Sequence, residues 1–104
     1  MGESEVFDTS IAIERKEGNI TLFSVIEHPP FKNKDFHVLF PESIDYIKAI
    51  EIAEKLRSRG KPIGAIDMLI AAMCINRSVK LVSKDNHFKS VAESFLEFMF
   101  EIKN

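Results

Sequence analysis

The chain has 104 residues, which suits a single domain with one core. Hydrophobic residues make up 45%, which excludes a disordered chain, and a net charge of −2 excludes nucleic-acid binding by bulk positive charge. A single cysteine, Cys74, excludes an internal disulfide and fits a reducing compartment.

The opening stretch MGESEVFDTS has no basic region followed by an apolar one, so no secretory signal is expected. No apolar run in the chain is long enough to span a bilayer, so the expectation is a cytoplasmic protein with no membrane association. Val6 and Phe7 lead into Asp8 as a short first strand. Residues 11–16 then read as a short helix stopped by Gly18 and Asn19. Residues 20–27, ITLFSVIE, are rich in β-branched and aromatic side chains and predict a buried strand ending at Glu27. His28-Pro29-Pro30 breaks regular structure. Residues 31–36 read as a loop and residues 37–40, HVLF, as a third strand closed by Pro41.

The clearest helix runs from about residue 42 to 59, with Ile44, Ile47, Ile50 and Leu56, joined by Ala49 and Ala53, at helical spacing; Gly60 suits its end. Residues 61–78 give a second helix, with Ile66, Leu69, Ile70 and Met73 as its apolar stripe and Asp67 one step off it. Cys74, mid-helix, reads as a small core residue. Residues 79–83 form a strand that stops just before Asp85, followed by a turn at 86–88 and a short helix from 89 to 93. Residues 95–102 read as a last, edge-like strand, whose Phe95, Phe98 and Phe100 belong to a core or an interface. Strands alternating with helices predict an α/β fold around a mainly parallel sheet.

Asp8, Glu27, Asp67 and Asp85 each stand where a hydrophobic element begins or ends. In open parallel sheets, functional groups gather beyond the carboxyl ends of the strands. Carboxylates brought together repel one another unless a cation sits among them. The natural occupant is a hard divalent ion with oxygen ligands, Mg²⁺ or Mn²⁺. Such an ion activates water and clamps phosphate, which points to phosphodiester hydrolysis.

Each acid also has a plainer role. Asp8 can cap the helix after it, Glu27 can be an exposed loop acid, and Asp85 in Lys84-Asp85-Asn86 can be an ordinary turn residue. Asp67 is harder to read that way, because it lies beside an apolar stripe, although an early-turn contact with the helix dipole is open to it. His28, His37 and His87 lack zinc-ligand spacing. His87, beside Asp85, is either a substrate contact or a residue packed on its own turn. Lys32, Lys34, Lys55, Arg57, Arg59, Lys61, Lys84 and Lys89 supply either a phosphate-contacting rim or solvated helix faces.

Three segments carry a resemblance. They are VFDTSIAI at 6–13, TLFSVIE at 21–27, and GAIDMLIAAMCINRSVKLVSKDNHFKSV at 64–91. Together they resemble the PIN-domain ribonuclease family, which includes the VapC-like toxins of VapBC toxin–antitoxin pairs. The resemblance implies one three-layer α/β/α PIN-like domain over residues 1–104, with a central sheet of 4–5 strands. It places the metal cluster and the catalytic acids on Asp8, Glu27, Asp67 and Asp85, with Ser10 and Ser83 as hydroxyl supports. The implied activity is Mg²⁺- or Mn²⁺-dependent cleavage of RNA. The implied partners are an RNA substrate, a small antitoxin protein and further copies of the chain, as a homodimer or higher homo-oligomer. The region from His28 to Pro41 is shorter than the family's usual helical hairpin, so this is a shortened form. That shortening motivates an alternative, a PIN-like module that binds protein or RNA without cutting. A phosphoacceptor receiver domain fits poorly, since Asp8 is followed by Thr9-Ser10 and the third strand ends in Phe40-Pro41.

Overall fold

The computed structural model of the chain describes residues 4–103. Strand β1, Glu5–Phe7, lies at the centre of a five-stranded sheet. Helix α1, Thr9–Ala12, leads to β2, Glu17–Thr21, and helix α2, Leu22–Glu27, follows at once. A 3-10 turn at Pro29–Asn33 brings in β3, Asp35–Leu39. Helices α3, Ser43–Ser58, and α4, Ala65–Arg77, pack on each other before β4, Lys80–Ser83. A second 3-10 turn at Asn86–Phe88, helix α5, Lys89–Ser94, and β5, Phe100–Ile102, complete the order.

All the strand pairs are parallel, in the spatial order β3-β2-β1-β4-β5. Successive side chains on a strand face opposite sides of a sheet, so two adjacent apolar residues serve two cores. Val6 of β1 and Leu81 of β4 join one apolar cluster, with Ile52, Leu56, Ile70, Ala72 and Phe88. Phe7 and Val82, the next residues along, join the other, with Ile11, Ile20 and Phe31. The sheet is therefore covered on both faces, as parallel sheets require, and the fold is the expected three-layer α/β/α arrangement. No helix among the described residues is long and apolar enough to cross a membrane.

Four sequence expectations change. The stretch 20–27 is not one strand: only Ile20 and Thr21 belong to β2, and residues 22–27 turn into α2. A short apolar run reads equally well as strand or buried helix, and the ladder partners decide. The register of β2 on β3 runs from Glu17↔Asp35 to Thr21↔Leu39. Gly18 is accordingly a strand residue rather than a helix stop. In α3 the buried face is Asp45, Ile52 and Leu56, whereas Ile44, Ile47 and Ile50 are 57%, 68% and 62% exposed. The last strand begins only at Phe100, because Phe95 and Phe98 turn into the core instead.

Helix α4 buries every residue from Leu69 to Cys74, being held between α3 and the sheet. Burial pushes the Cys74 thiol up to about 12, which agrees with a core residue and not with a reactive one. The α3–α4 pair is pinned at one end by Asp45, which is fully buried. Its Oδ1 accepts from Arg77 Nη1 at 2.9 Å and from Asn76 Nδ2 at 2.9 Å, and its Oδ2 accepts from Arg77 Nη2 at 3.0 Å and from the Glu42 amide at 2.7 Å. Asp45 also completes a reciprocal cap with Glu42 at the start of α3.

Candidate active site

From β1 the chain moves one way along the sheet to β2 and β3, while β4 and β5 lie on the other side of β1. The segments leaving the carboxyl ends of β1 and β4 therefore part company and leave a crevice between them, the usual location of a site in such sheets. Asp8 leaves β1 there, and Lys84-Asp85 leaves β4. An open cleft of about 600 Å³ lies at this point, lined by Asp8, Glu27, Asp67 and Asp85 together with Thr9 and Ser10. Four carboxylates from four separate parts of the chain thus share one cavity. Its remaining wall is apolar, formed by Phe23, Ile26, Ile66 and Ile70.

Asp8 occupies the N-cap position of α1, yet its side chain makes no cap hydrogen bond. Its amide extends the sheet ladder by donating to the Val82 carbonyl at 2.9 Å, and its Oδ2 accepts from Ser83 Oγ at 2.8 Å. Ser83 is fully buried and its Oγ accepts from the Asp85 amide at 2.9 Å. One hydroxyl therefore ties two of the acids together from below. Burial pushes the Asp8 carboxyl above its ordinary range, and the nearby Glu27 and Asp85 add to this, against the hydrogen bonds from Ser83 and the Thr9 amide.

Glu27 reaches the cleft from the last residue of α2 rather than from a strand end. Thr9 Oγ1 donates to its Oε1 at 2.6 Å. With that single proton committed, the contact of 2.9 Å between Thr9 and Ser24 has Ser24 as donor. Ser10 lies on the other side of the same turn, where its Oγ accepts from the Lys84 amide at 3.1 Å and joins the two diverging segments.

Asp67 stands in the first turn of α4. Burial raises its carboxyl above the ordinary range, and Asp85 and Asp8 push in the same direction, with His87 opposing. Asp85 does serve its turn, since its Oδ1 accepts from the His87 amide at 2.9 Å. Its Oδ2 lies 3.1 Å from His87 Nδ1, which is also 3.7 Å from Asp67 Oδ2. Among the described residues no three acidic, histidine or cysteine side chains gather tightly enough to form a ready-made metal cage. The cleft offers an all-oxygen donor set in which neighbouring acids add to the raised proton affinity of Asp8 and Asp67, a repulsion that a hard cation relieves.

The expected site residues thus converge, with Ser83 beneath the cleft and Ser10 at its edge. The sequence reading had not weighted Thr9, although it adjoins Asp8, nor the wall of Phe23 and Ile26. Both of those lie on α2, whose helical turn was read as strand. Of the basic residues, Lys84 pairs with Glu14 at 2.6 Å and Lys61 with Glu93 at 3.3 Å, so these two are engaged at the surface.

The architecture is that of the VapBC toxin–antitoxin structures. VapBC from Salmonella typhimurium, solved bound to DNA, matches with a TM-score of 0.71 at 16% identity, over 97% of this chain and 98% of that chain. VapBC2 from Rickettsia felis, solved with a promoter DNA fragment, matches with a TM-score of 0.75 at 15% identity, over 96% and 98%. VapBC-5 from Mycobacterium tuberculosis, a member of the VapBC family of toxin–antitoxin systems, matches with a TM-score of 0.77 at 14% identity, over 98% and 100%. A comparison with curated protein sequences finds no match. The sequence model of the PIN domain matches residues 32–94, more than half of the chain, and the chain belongs to the PIN domain family.

Proposed function

We propose that residues 1–104 act as one PIN-like domain with metal-dependent endoribonuclease activity, cutting RNA phosphodiester bonds at the cleft. The observation that carries this reading is the meeting of Asp8, Glu27, Asp67 and Asp85 in one cavity at the crevice between β1 and β4. Mg²⁺ or Mn²⁺ suits their oxygen donors. Such an ion, when bound, supplies an activated water and neutralises charge on the phosphate. Asp8 and Asp67 would be the principal ligands, and Glu27 and Asp85 would hold or polarise the attacking water or complete a second metal site. The lack of a closed cage is compatible with Mg²⁺, which binds through one or two carboxylates and keeps several waters. Ser83 fixes the Asp8 carboxylate, Thr9 fixes Glu27, and Ser10 holds the turn that carries Asp8.

As a VapC-like toxin in the cytoplasm, the protein has a small antitoxin as its partner. The exposed ridge of Ile44, Ile47 and Ile50, with Tyr46 beside it, supports contact with other chains, here a homodimer or higher homo-oligomer. The open arrangement of the acids favours a second reading, a PIN-like module that binds protein or RNA without cutting. Incubation of a mixed single-stranded RNA pool with Mn²⁺ or Mg²⁺, with and without EDTA, separates the two. The nuclease reading expects metal-dependent cutting that Asp67→Asn abolishes. RNA left intact by folded protein, or equal cutting by the Asp67→Asn variant, overturns it.

A further inference from the structure

Two exposed large hydrophobic side chains line the acidic cleft. Ile26 is 65% exposed and Ile66 is 49% exposed, and each directly precedes an acid of the cleft, Glu27 and Asp67. Neither belongs to the two apolar clusters, so core packing does not require them. On α2, Phe23 stands three and four residues before Ile26 and Glu27, and on α4, Ile70 stands four and three residues after Ile66 and Asp67. Residues so spaced share a helix face. Each of the two helices thus offers the cavity one carboxylate and one apolar strip. Phe23 packs against the core and Ile70 is buried within it, which gives both strips a fixed support. A β-branched side chain on a helix has one strongly preferred χ1, so the two isoleucine lips are set before any ligand arrives.

We propose that Ile26 and Ile66 form a nucleobase subsite, which grips an unpaired base of the RNA strand whose phosphate lies at the acids. The cavity holds about 600 Å³, room for an organic group and not for an ion alone. In RNA the base hangs from its phosphate by a single ribose, so a phosphate among the carboxylates carries a base into reach of the apolar strips. A base within a duplex is stacked on both faces and cannot enter, whereas an unpaired base has a face to give. The strips offer no hydrogen bond to a base edge, and the Thr9 hydroxyl is committed to Glu27 at 2.6 Å. The grip is therefore on the flat face, which every base has, and it does not read the sequence. The inference rests on the reading of the acids as the place of an RNA phosphate and adds to it the residues that hold the base beside it.

The test is equilibrium binding by fluorescence anisotropy, with Ca²⁺ as the hard cation, to a short labelled oligouridylate and to the same sugar–phosphate strand without bases. The parent is expected to bind the strand with bases about tenfold more tightly, the order expected of one base held by its face. Ile26→Ala and Ile66→Ala are each expected to cut that preference about threefold and the double variant to abolish it, with affinity for the baseless strand unchanged throughout. A parent without the preference overturns the subsite and leaves the two isoleucines to a protein partner. Variants that weaken both strands equally overturn it too, because the loss then comes from the shape of the cleft. Ile26 is the cleaner probe, since Ile66 also borders the groove between α3 and α4. Cutting of the oligouridylate with Mn²⁺, followed in parallel, separates this failure from that of the nuclease reading. Cutting without the preference sinks the subsite alone. The preference without cutting keeps the subsite, in a module that binds RNA, and sinks the nuclease. Neither preference nor cutting sinks both.

Discussion

The buried hydroxyl of Ser83 donates to Asp8 Oδ2 at 2.8 Å, linking side chains that are 75 positions apart in the chain. The same oxygen accepts the Asp85 amide at 2.9 Å. Replacement by alanine therefore removes a donor to a carboxylate and strands a part-buried amide. Ser83→Ala is expected to lower stability by about 1–3 kcal/mol, the cost of an unsatisfied buried group. The hydrogen bond favours the ionised form of Asp8, so its loss moves the Asp8 carboxyl further up. In a pH profile of RNA cleavage, the acid limb of the variant should shift to higher pH. A shift to lower pH, or stability equal to the parent in urea titration, contradicts this account.

Asp8 and Asp67 are both held above the ordinary aspartate range, by burial first and by neighbouring acids next. A carboxyl whose folded pKa is raised contributes stability that is fully present below its unfolded pKa. That contribution is lost as pH rises through the folded value. At neutral pH the ionised pair therefore weighs against folding. Asp67→Asn is expected to melt at a higher temperature than the parent in EDTA at neutral pH, with the gap closing in acid. Adding Mn²⁺ should raise the melting temperature of the parent more than that of the variant, because binding to the folded state adds stability by mass action. Thermal melts across pH, with and without the ion, provide the check.

Asp45 behaves in the opposite sense. Burial pushes its carboxyl up, but the bonds from Arg77, the Glu42 amide and Asn76 outweigh it and hold the carboxyl below the ordinary range. Its contribution is present above the unfolded pKa and is lost as pH falls through the folded one. Asp45→Ala leaves the Arg77 guanidinium without its main partner and is expected to cost about 3–5 kcal/mol. In urea titrations the parent should lose its advantage over the variant as the solution is acidified. A constant difference between them at every pH would show that packing, and not the charge, is what Asp45 supplies.

Gly18 has φ +137, and a Cβ there would stand 2.5 Å from Phe7 Cε2. Phe7 is committed to the second core cluster and carries the Arg15 guanidinium 4.8 Å above its ring, so it has little room to yield. Gly18→Ala is expected to cost more than the roughly 1–3 kcal/mol of backbone strain alone, since the clash adds to it. Gly60 provides the control. It has φ +70 with nothing within 4 Å of the added Cβ, so Gly60→Ala should lose only about 1–2 kcal/mol from the left-handed backbone. Equal losses in the two variants would remove Phe7 from the explanation.

The sequence by itself determined most of the element order, because periodicity and chain punctuation are local properties. The stripe of Leu69, Ile70 and Met73, the break at His28-Pro29-Pro30 and the strand before Asp85 are all legible without a partner. The four acids were also legible, through the ordered segments around Asp8, Glu27, Asp67 and Asp85. Tertiary structure decided what local pattern leaves degenerate. Residues 22–27 became helix because β2 finds its ladder on β3 through Glu17–Thr21 and ends there. The isoleucine ridge of α3 faces outward because Asp45, Ile52 and Leu56 take the inner face, where Asp45 meets Arg77, 32 positions away in the chain. The hydroxyl joining Asp8 and Asp85, and the imidazole between Asp85 and Asp67, depend on distances of a few ångströms across the crevice between β1 and β4. Spacing along a chain carries no record of such distances, since they are set by how the layers pack on the sheet.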